Sequence, residues 1–403
     1  MNKTIKLAVA GAVLSAASMA NAGIIIPAGE WTMDINGNVN AFAIMTDADA
    51  AQTGTGTGAN GVVGNGIATT QDTFGESKSS AINTGLLPSW LGFTGTTRQN
   101  DLDVSFTISF QPNASSNDGS GDVLAPLNRQ AFLTFGDASW GSVKLGKDLG
   151  IFASDAILND MTLLGVGGAG GRSGTQTTLG GIGAGYLYPA WHGQIAYTTP
   201  NMNGFQATIG ITNPDTGGGA TANQDRFGIE GKASYALPMG KVWVSGASYN
   251  LKYAATNQDY DMNVLDIGTT INVGNAAVTA YFYSGSGIGQ TSTNYLDNTA
   301  AAGGASATFD ERDGDGGYIQ ATYVIPTGTK LGVAYGLNRW DLADGETSAS
   351  NMLDENNRWT VGAYHPLTKH LNLVAEFNAM ESKDHQGDQQ ESDSISLGAI
   401  LFF

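Results

Sequence analysis

Apolar and polar residues alternate with a period of two, and the alternation recurs along almost the whole chain. Trp31, Met33, Ile35, Val39, Ala41 and Ala43 fall on one face, and Thr32, Asp34, Asn36, Asn38 and Asn40 on the other. Successive side chains of a strand point to opposite faces, so this pattern specifies a strand with one apolar and one polar side. A single strand of that kind suits a soluble sheet equally well. Repetition narrows the choice. Leu102, Val104, Phe106, Ile108 and Phe110 repeat the pattern, and Ile395, Leu397, Ala399, Leu401 and Phe403 carry it to the last residue. About sixteen segments result, at 31–46, 82–96, 102–112, 128–136, 141–146, 187–199, 204–212, 225–237, 241–253, 261–273, 276–284, 317–325, 330–340, 357–364, 371–381 and 393–403.

The connections alternate in length. Asp137–Trp140, Pro238–Gly240, Gly274–Asn275 and Pro326–Thr329 are short, whereas 47–81, 113–127, 147–186, 213–224, 285–316, 341–356 and 382–392 are long and polar. Tight turns at one rim, long loops at the other and an even strand count predict an all-β, sixteen-stranded antiparallel transmembrane barrel. Closure leaves no unpaired backbone edge in hydrocarbon, with apolar residues toward lipid and polar ones toward a lumen. Trp31, Trp140, Trp191, Trp359 and Tyr364 lie near strand ends, as interfacial girdles require. A secreted β-rich adhesin shares the alternation, but a sandwich rarely continues one meander through so many strands.

Composition agrees. There are no cysteines, so an exported chain must be held by packing and hydrogen bonds rather than disulfides. A formal net charge of −18 argues against nucleic acid as a partner, because like charge repels phosphate. The start, with Lys3 and Lys6, an apolar run from Leu7 to Ala17 and Ala20-Asn21-Ala22, reads as a secretory signal peptide over residues 1–22, leaving 23–403 as the mature barrel domain.

Several segments resemble the general trimeric porins of Gram-negative outer membranes. Leu91-Gly-Phe-Thr-Gly95 is similar to that family's L-G-F-x-G, and Asn128-Arg-Gln-Ala-Phe132 with Gly141-Ser-Val-Lys-Leu-Gly-Lys147 to its R-Q-A-F…G-x-V-x-L-G-R. Ile195–Phe205 and Gly362–Lys369 resemble two later motifs, and Phe403 the terminal Phe. The resemblance implies a homotrimer in the bacterial outer membrane, in contact with lipid and lipopolysaccharide. It further implies passive diffusion of ions and small hydrophilic solutes, with no enzymatic chemistry and no cofactor. Loop 3 (147–186) is expected to fold inward, its acids facing a basic ladder on the wall. Arg129 matches the wall arginine and Lys147 the arginine closing L-G-R, while Trp90 stands where many members carry a basic residue.

On that footing the constriction is expected between Asp148, Asp155 and Asp160 on loop 3 and Arg129, Lys144 and Lys147 on the wall. By parity Asp34, Asp103, His192, Arg226, Glu230, Lys232, Arg358 and Glu376 line the lumen as well. The surplus acids lie in loops, which predicts weak cation selectivity, since a negative mouth concentrates cations. A substrate-specific porin for a sugar or organic acid is the alternative. Gly165–Gly170 matches G-x-G-x-x-G, but no helix-forming segment follows, so it reads as loop. Glu311-Arg-Asp313-Gly-Asp315 resembles the front of a calcium loop, although Thr322 stands where the loop's closing Glu belongs, so Asp313 and Asp315 are weak metal candidates at most. His192, His365, His370 and His385 lack metal or triad spacing.

Overall fold

The computed structural model describes residues 23–49, 66–68, 77–112, 114, 127–168, 177–213, 222–223, 226–253, 258–287, 311–343 and 353–403. The segment read as a signal peptide and several loop acids, among them Asp72, Glu76 and Asp310, lie outside the described residues. The first strands are β1 (Ile24–Ala28), β2 (Trp31–Ala48), β3 (Lys78–Asn83), β4 (Trp90–Gln99), β5 (Leu102–Gln111), β6 (Leu127–Asp137) and β7 (Gly141–Leu149). After a long loop come β8 (Trp191–Thr198), β9 (Phe205–Thr212), β10 (Ala222–Asn223), β11 (Gly228–Leu237), β12 (Gly240–Tyr253), β13 (Gln258–Val273) and β14 (Ala276–Ser286). The chain finishes with β15 (Asp313–Val324), β16 (Lys330–Trp340), β17 (Leu353–Pro366), β18 (Leu371–Asp384) and β19 (Gln389–Phe402).

Each strand pairs antiparallel with its neighbours, and β19 returns to β2 through Leu401↔Val39 to Ser392↔Ala48, closing the ring. β3 and β4 both pair with β2, and β10 and β11 both pair with β12, so each couple occupies one barrel position. β1 folds back on the first residues of β2, below the end of β19. The barrel proper therefore has sixteen positions, each paired with both neighbours, so the ring leaves no open sheet edge in hydrocarbon.

The barrel is apolar on the outside. Leu265 is 73% exposed, and Ile82, Ile209, Ile319, Val361 and Ile395 share that outer face. On the inside Trp243, Tyr249, Tyr281, Tyr283 and Tyr318 are buried beneath inward-folded chain. Trp31 packs on Phe106 with ring centroids 5.6 Å apart, and Phe135 on Trp140 at 6.3 Å, all near the short-turn rim. Tyr364 departs from the girdle reading: it shares the inward parity of Thr360 and Arg358 and is buried at 3% exposure.

One strand expected as continuous over 82–96 is broken at 84–89, where Gly85 and Pro88 leave the ladder. Side chains replace the lost bonds. Asn40 Oδ1 accepts from Gly85 N at 2.9 Å, Asn40 Nδ2 donates to Leu87 O at 2.9 Å, and Asn38 Nδ2 donates to Pro88 O at 2.9 Å. The excursion carries Leu86 and Leu87 into the lumen, where Leu86 N donates to Gly165 O at 2.9 Å.

Candidate functional site

β7 pairs with β8 as far as Leu149↔Trp191, so the inward loop spans residues 150–190 rather than 147–186. Lys147 and Asp148 consequently belong to a strand. Within the loop lie helix α1 (Ser154–Asn159) and a 3-10 turn, Met161–Leu164, capped by Asp160, whose carboxylate accepts from Thr162 N at 2.9 Å.

Wall side chains fasten this loop by its backbone. Glu230 Oε2 on β11 accepts from Ile151 N at 2.6 Å and Phe152 N at 2.8 Å, while its Oε1 accepts from Tyr249 OH and lies 2.7 Å from His192 Nε2. Glu376 Oε2 on β18 accepts from Val166 N at 2.9 Å and Gly167 N at 2.8 Å, with Tyr364 OH donating to Oε1 at 2.7 Å. Between these anchors, Met161 N donates to Gln320 Oε1 at 2.8 Å, Tyr318 OH to Ala156 O at 2.9 Å and Gly185 N to Asn338 Oδ1 at 2.8 Å. Buried backbone donors need acceptors, and an inward loop finds them on the polar inner face of the barrel.

Close approach explains the glycines. A Cβ on Gly165 would stand 1.9 Å from Glu376 Oε1, and Gly167, at φ +58°, would set one 2.2 Å from Arg358 Nη1. They serve contact with the wall and not only the flexibility a glycine run suggests. Ala169, Gly170 and Gly171, which end that run, lie outside the described residues.

Of the three expected acids, Asp148 meets an expected base, Lys144, whereas Asp155 and Asp160 meet others. Asp148 is buried and pairs with Lys144 on its own strand, its Oδ1 also accepting from Gln130 Nε2 at 2.9 Å. Asp155 lies 3.1 Å from Lys232 Nζ through Oδ2 and pairs with Lys241 Nζ through Oδ1. Burial raises the Asp155 pKa, but Lys232 and Lys241 outweigh it and hold the carboxyl below its ordinary value. Asp160 Oδ2 sits 3.7 Å from Arg358 Nη2 and accepts from Tyr186 OH at 2.7 Å and Gly181 N at 3.0 Å. Burial, and then the charge on Asp160, push the Tyr186 hydroxyl well above its usual pKa, so it remains a donor.

Arg129 occupies the extra position where Ser109↔Gln130 is followed by Phe110↔Asn128. Its Nε donates to Gln111 Oε1 and its Nη1 to Tyr188 OH at 3.2 Å, with Trp191 5.7 Å away. Among the described residues it has no carboxylate partner.

Two of the basic residues expected in the lumen lie elsewhere. Lys147 pairs with Ala131 and Gly193, both on the outer face, and donates to Asn128 O at 3.0 Å. Strand parity continues through it, so Lys144 and Lys147 cannot both face inward. Arg226 precedes β11 and donates to Ser248 Oγ at 3.0 Å on the outer surface. Asp34 and Asp103 keep inward parity but lie at the short-turn rim, Asp103 paired with Arg98 at 2.7 Å. Asp313 and Asp315 lie within extended β15 and do not curl round an ion; among the described residues no group of three acidic or His side chains could hold a metal. Lys241 was not anticipated, although its parity with Trp243 and Ser245 would have placed it inward. Trp90 is buried in the cluster that includes Leu86 and Phe152.

Comparison with known proteins agrees with this geometry. The family model described as Gram-negative porin matches residues 7–385. The outer membrane channel DcaP of Acinetobacter baumannii superposes with TM-score 0.67 at 16% identity, covering 95% of this chain and 100% of that one. OmpT of Vibrio cholerae superposes at 0.59 with 14% identity, covering 94% and 100%, and Salmonella typhi OmpF, in complex with daunomycin, at 0.59 with 14% identity, covering 93% and 100%. No curated protein matches the sequence.

Proposed function

Because the chain belongs to the Gram-negative porin family, we propose that it forms an outer-membrane channel through which ions and small hydrophilic solutes diffuse passively, with a weak preference for cations. The observation that carries this reading is a closed barrel whose 150–190 loop is bonded across the lumen to β11, β15, β16 and β18. Such a loop narrows a water-filled path without any reacting group. Ion preference then depends on fixed charge along the path. At the long-loop rim Asp47, Asp313, Asp341, Asp354, Glu381 and Asp393 outnumber Lys78, Arg312, Arg339 and Lys383. Their field reaches about 8 Å at physiological salt and raises the local concentration of cations. Reversal potentials in a salt gradient test this, and a chloride-favouring potential refutes the cation preference.

A homotrimer belongs to the same proposal. Vibrio cholerae OmpT has been solved in a trimer form, and its barrel resembles this one at TM-score 0.57. Closure of single complexes in three steps supports three barrels; single-step closure excludes them. Residues 1–22 are proposed to be removed on export, so the mature protein should have the mass of a chain starting at Gly23.

One observation favours a second reading, a channel selective for organic acids. Near α1 two lysines share one carboxylate, and the bases are the more exposed partners: the Lys241 side chain is 38% exposed against 7% for Asp155. Together with Arg129, this leaves positive charge facing the path. Saturable block of the ionic current by a small organic acid, unmatched by a neutral sugar of similar size, would establish that reading over general diffusion.

A further inference from the structure

Above the anchored loop a second piece of chain lies inside the barrel. Residues 66–68 belong to the connection between β2 and β3, yet Ile67 and Ala68 are each only 6% exposed and share a buried cluster with Phe42, Ile44, Val166 and Met380. Phe42 and Ile44 continue the inward parity of Asn38 and Asn40 on β2, and Met380 that of Glu376 on β18. Apolar side chains facing a water-filled lumen favour a cover, and Ile67 and Ala68 supply one. The inner face of β18 shows the layering. Glu376 holds Val166 N and Gly167 N, Met380 Sδ lies 3.8 Å from where a Cβ on Gly168 would stand, and Ser382 Cβ lies 2.8 Å from where one on Gly66 would stand. Residues 66–68 are therefore the next layer, between the 165–168 end of the loop and the long-loop mouth.

The two layers are tied unequally. Ile67 N donates to Asn356 Oδ1 at 3.2 Å and Ala68 N to Ser382 Oγ at 3.1 Å, both neutral acceptors. The 150–190 loop instead rests on Glu230 and Glu376, where one carboxyl oxygen of each takes two backbone donors at 2.6–2.9 Å, and on charge pairs through Asp155 and Asp160. Shorter contacts and charged partners make the lower ties the stronger. Release of 66–68 also leaves the wall satisfied. Ser382 Oγ donates to Asn356 Oδ1 at 2.6 Å, so that pair stays bonded, and the two freed N–H groups meet water. What opposes release is the uncovering of Phe42, Ile44 and Met380. Local opening begins where few bonds and little apolar area hold a segment, and here that is residues 66–68.

We propose that residues 66–68 are a displaceable strap that sets the width of the channel at its long-loop mouth. Seated, the strap covers the inner face of β17 and β18 and narrows the path. Released, it bares that wall and gives the barrel a second, higher conductance level, while the 150–190 loop stays anchored in both states. The two levels are then a two-state equilibrium of one segment, biased toward the seated form by two neutral hydrogen bonds and two small apolar side chains. The strap rests on the channel reading and is independent of the ion preference.

The chain has no cysteine, so thiols report on the strap without background. In the full-length protein Ile67→Cys places a reporter at a buried strap position, and labelling by a small membrane-impermeant thiol reagent is timed beside planar-bilayer recordings. Asn356→Ala with Ser382→Ala removes both acceptors. At about fivefold per neutral hydrogen bond, labelling and the time spent in the higher level should both rise roughly 25-fold. Gly66→Cys with Ser382→Cys brings two Cβ atoms close to the roughly 3.8 Å of a disulfide. Oxidised, this pair should hold the lower level without upward steps, and reduction should restore them. Labelling of Ile67→Cys within about threefold of the parent when both acceptors are removed overturns the strap, as does failure of the pair to cross-link. Faster labelling with unchanged current, or upward steps that persist in the oxidised pair, overturns its control of the mouth. A parent that carries no current at all fails the channel reading instead, and the labelling then decides by itself whether the segment is displaceable.

Discussion

Replacing Glu376 with leucine should release the 165–168 end of the inward loop while leaving the 150–160 end in place. The Glu376 carboxyl accepts from Val166 N, Gly167 N and Tyr364 OH, all of them buried. Leucine offers no acceptor, and each buried donor left unpaired costs about 1–3 kcal/mol. The two backbone donors together give about 2–6 kcal/mol, and at roughly 1.4 kcal/mol per tenfold this raises the open population of that segment by at least about 30-fold. The chain has no cysteine, so Gly168→Cys supplies a single reporter without background. A Cβ at Gly168 meets only Gly180 O at 3.2 Å and softer contacts beyond, so the reporter is tolerated. Labelling by a small membrane-impermeant thiol reagent should accelerate about 30-fold or more in Glu376→Leu. Glu376→Gln should stay near the parent, because its carbonyl can remain on the two N–H groups while its NH2 turns to the Tyr364 oxygen. Labelling in Glu376→Leu within about threefold of the parent would refute the anchoring role, since that difference is under 1 kcal/mol.

Three further outcomes follow from the same contacts. Asp155 has a lowered pKa in the folded protein, so its attachment to Lys232 and Lys241 is fully present above the ordinary aspartate value near 3.8 and is lost as pH falls through the lower folded value. The part of the conductance that depends on Asp155 should accordingly hold steady above about 4 and change only below it, and Asp155→Asn should abolish that acid transition in planar-bilayer recordings. Lys144→Gln should shift the reversal potential, whereas Lys147→Gln should leave it unchanged because Lys147 lies on the outer face. Gly167→Ala should disorder the loop end, since a positive φ of 58° and a 2.2 Å approach to Arg358 Nη1 leave no place for a methyl group; faster labelling at Gly168→Cys reads this.

Local alternation is enough to specify barrel strands, because period two is set by the geometry of extended backbone and needs no distant partner. Hence Leu102–Gln111, Phe205–Thr212 and most of Leu371–Asp384 and Gln389–Phe402 are legible from their own residues, although 382–392, read as a long loop because its residues are polar, is strand except at 385–388. Parity likewise put Glu230, Lys232, Arg358, Glu376 and His192 on the inner face. At Lys147 the motif match failed and parity counted from Lys144 holds, while parity itself failed at Arg226, which stands before its strand begins and turns outward to Ser248.

The pairing of the inward loop belongs to another level. Asp155 meets Lys232 and Lys241, which are far from it in sequence, and Asp160 meets Arg358 almost two hundred residues away. No spacing rule encodes such distances, because they depend on the ring being closed and on where the loop crosses it. The same holds for Glu230 and Glu376. As residues they are inward carboxyls on a strand. Only the folded barrel sets two backbone N–H groups of the loop against each, and so gives the loop its fixed position across the lumen. The chain by itself determined the barrel and its two faces, since neighbouring residues settle both; the tertiary structure alone decided which charges meet inside it, since closure sets those distances.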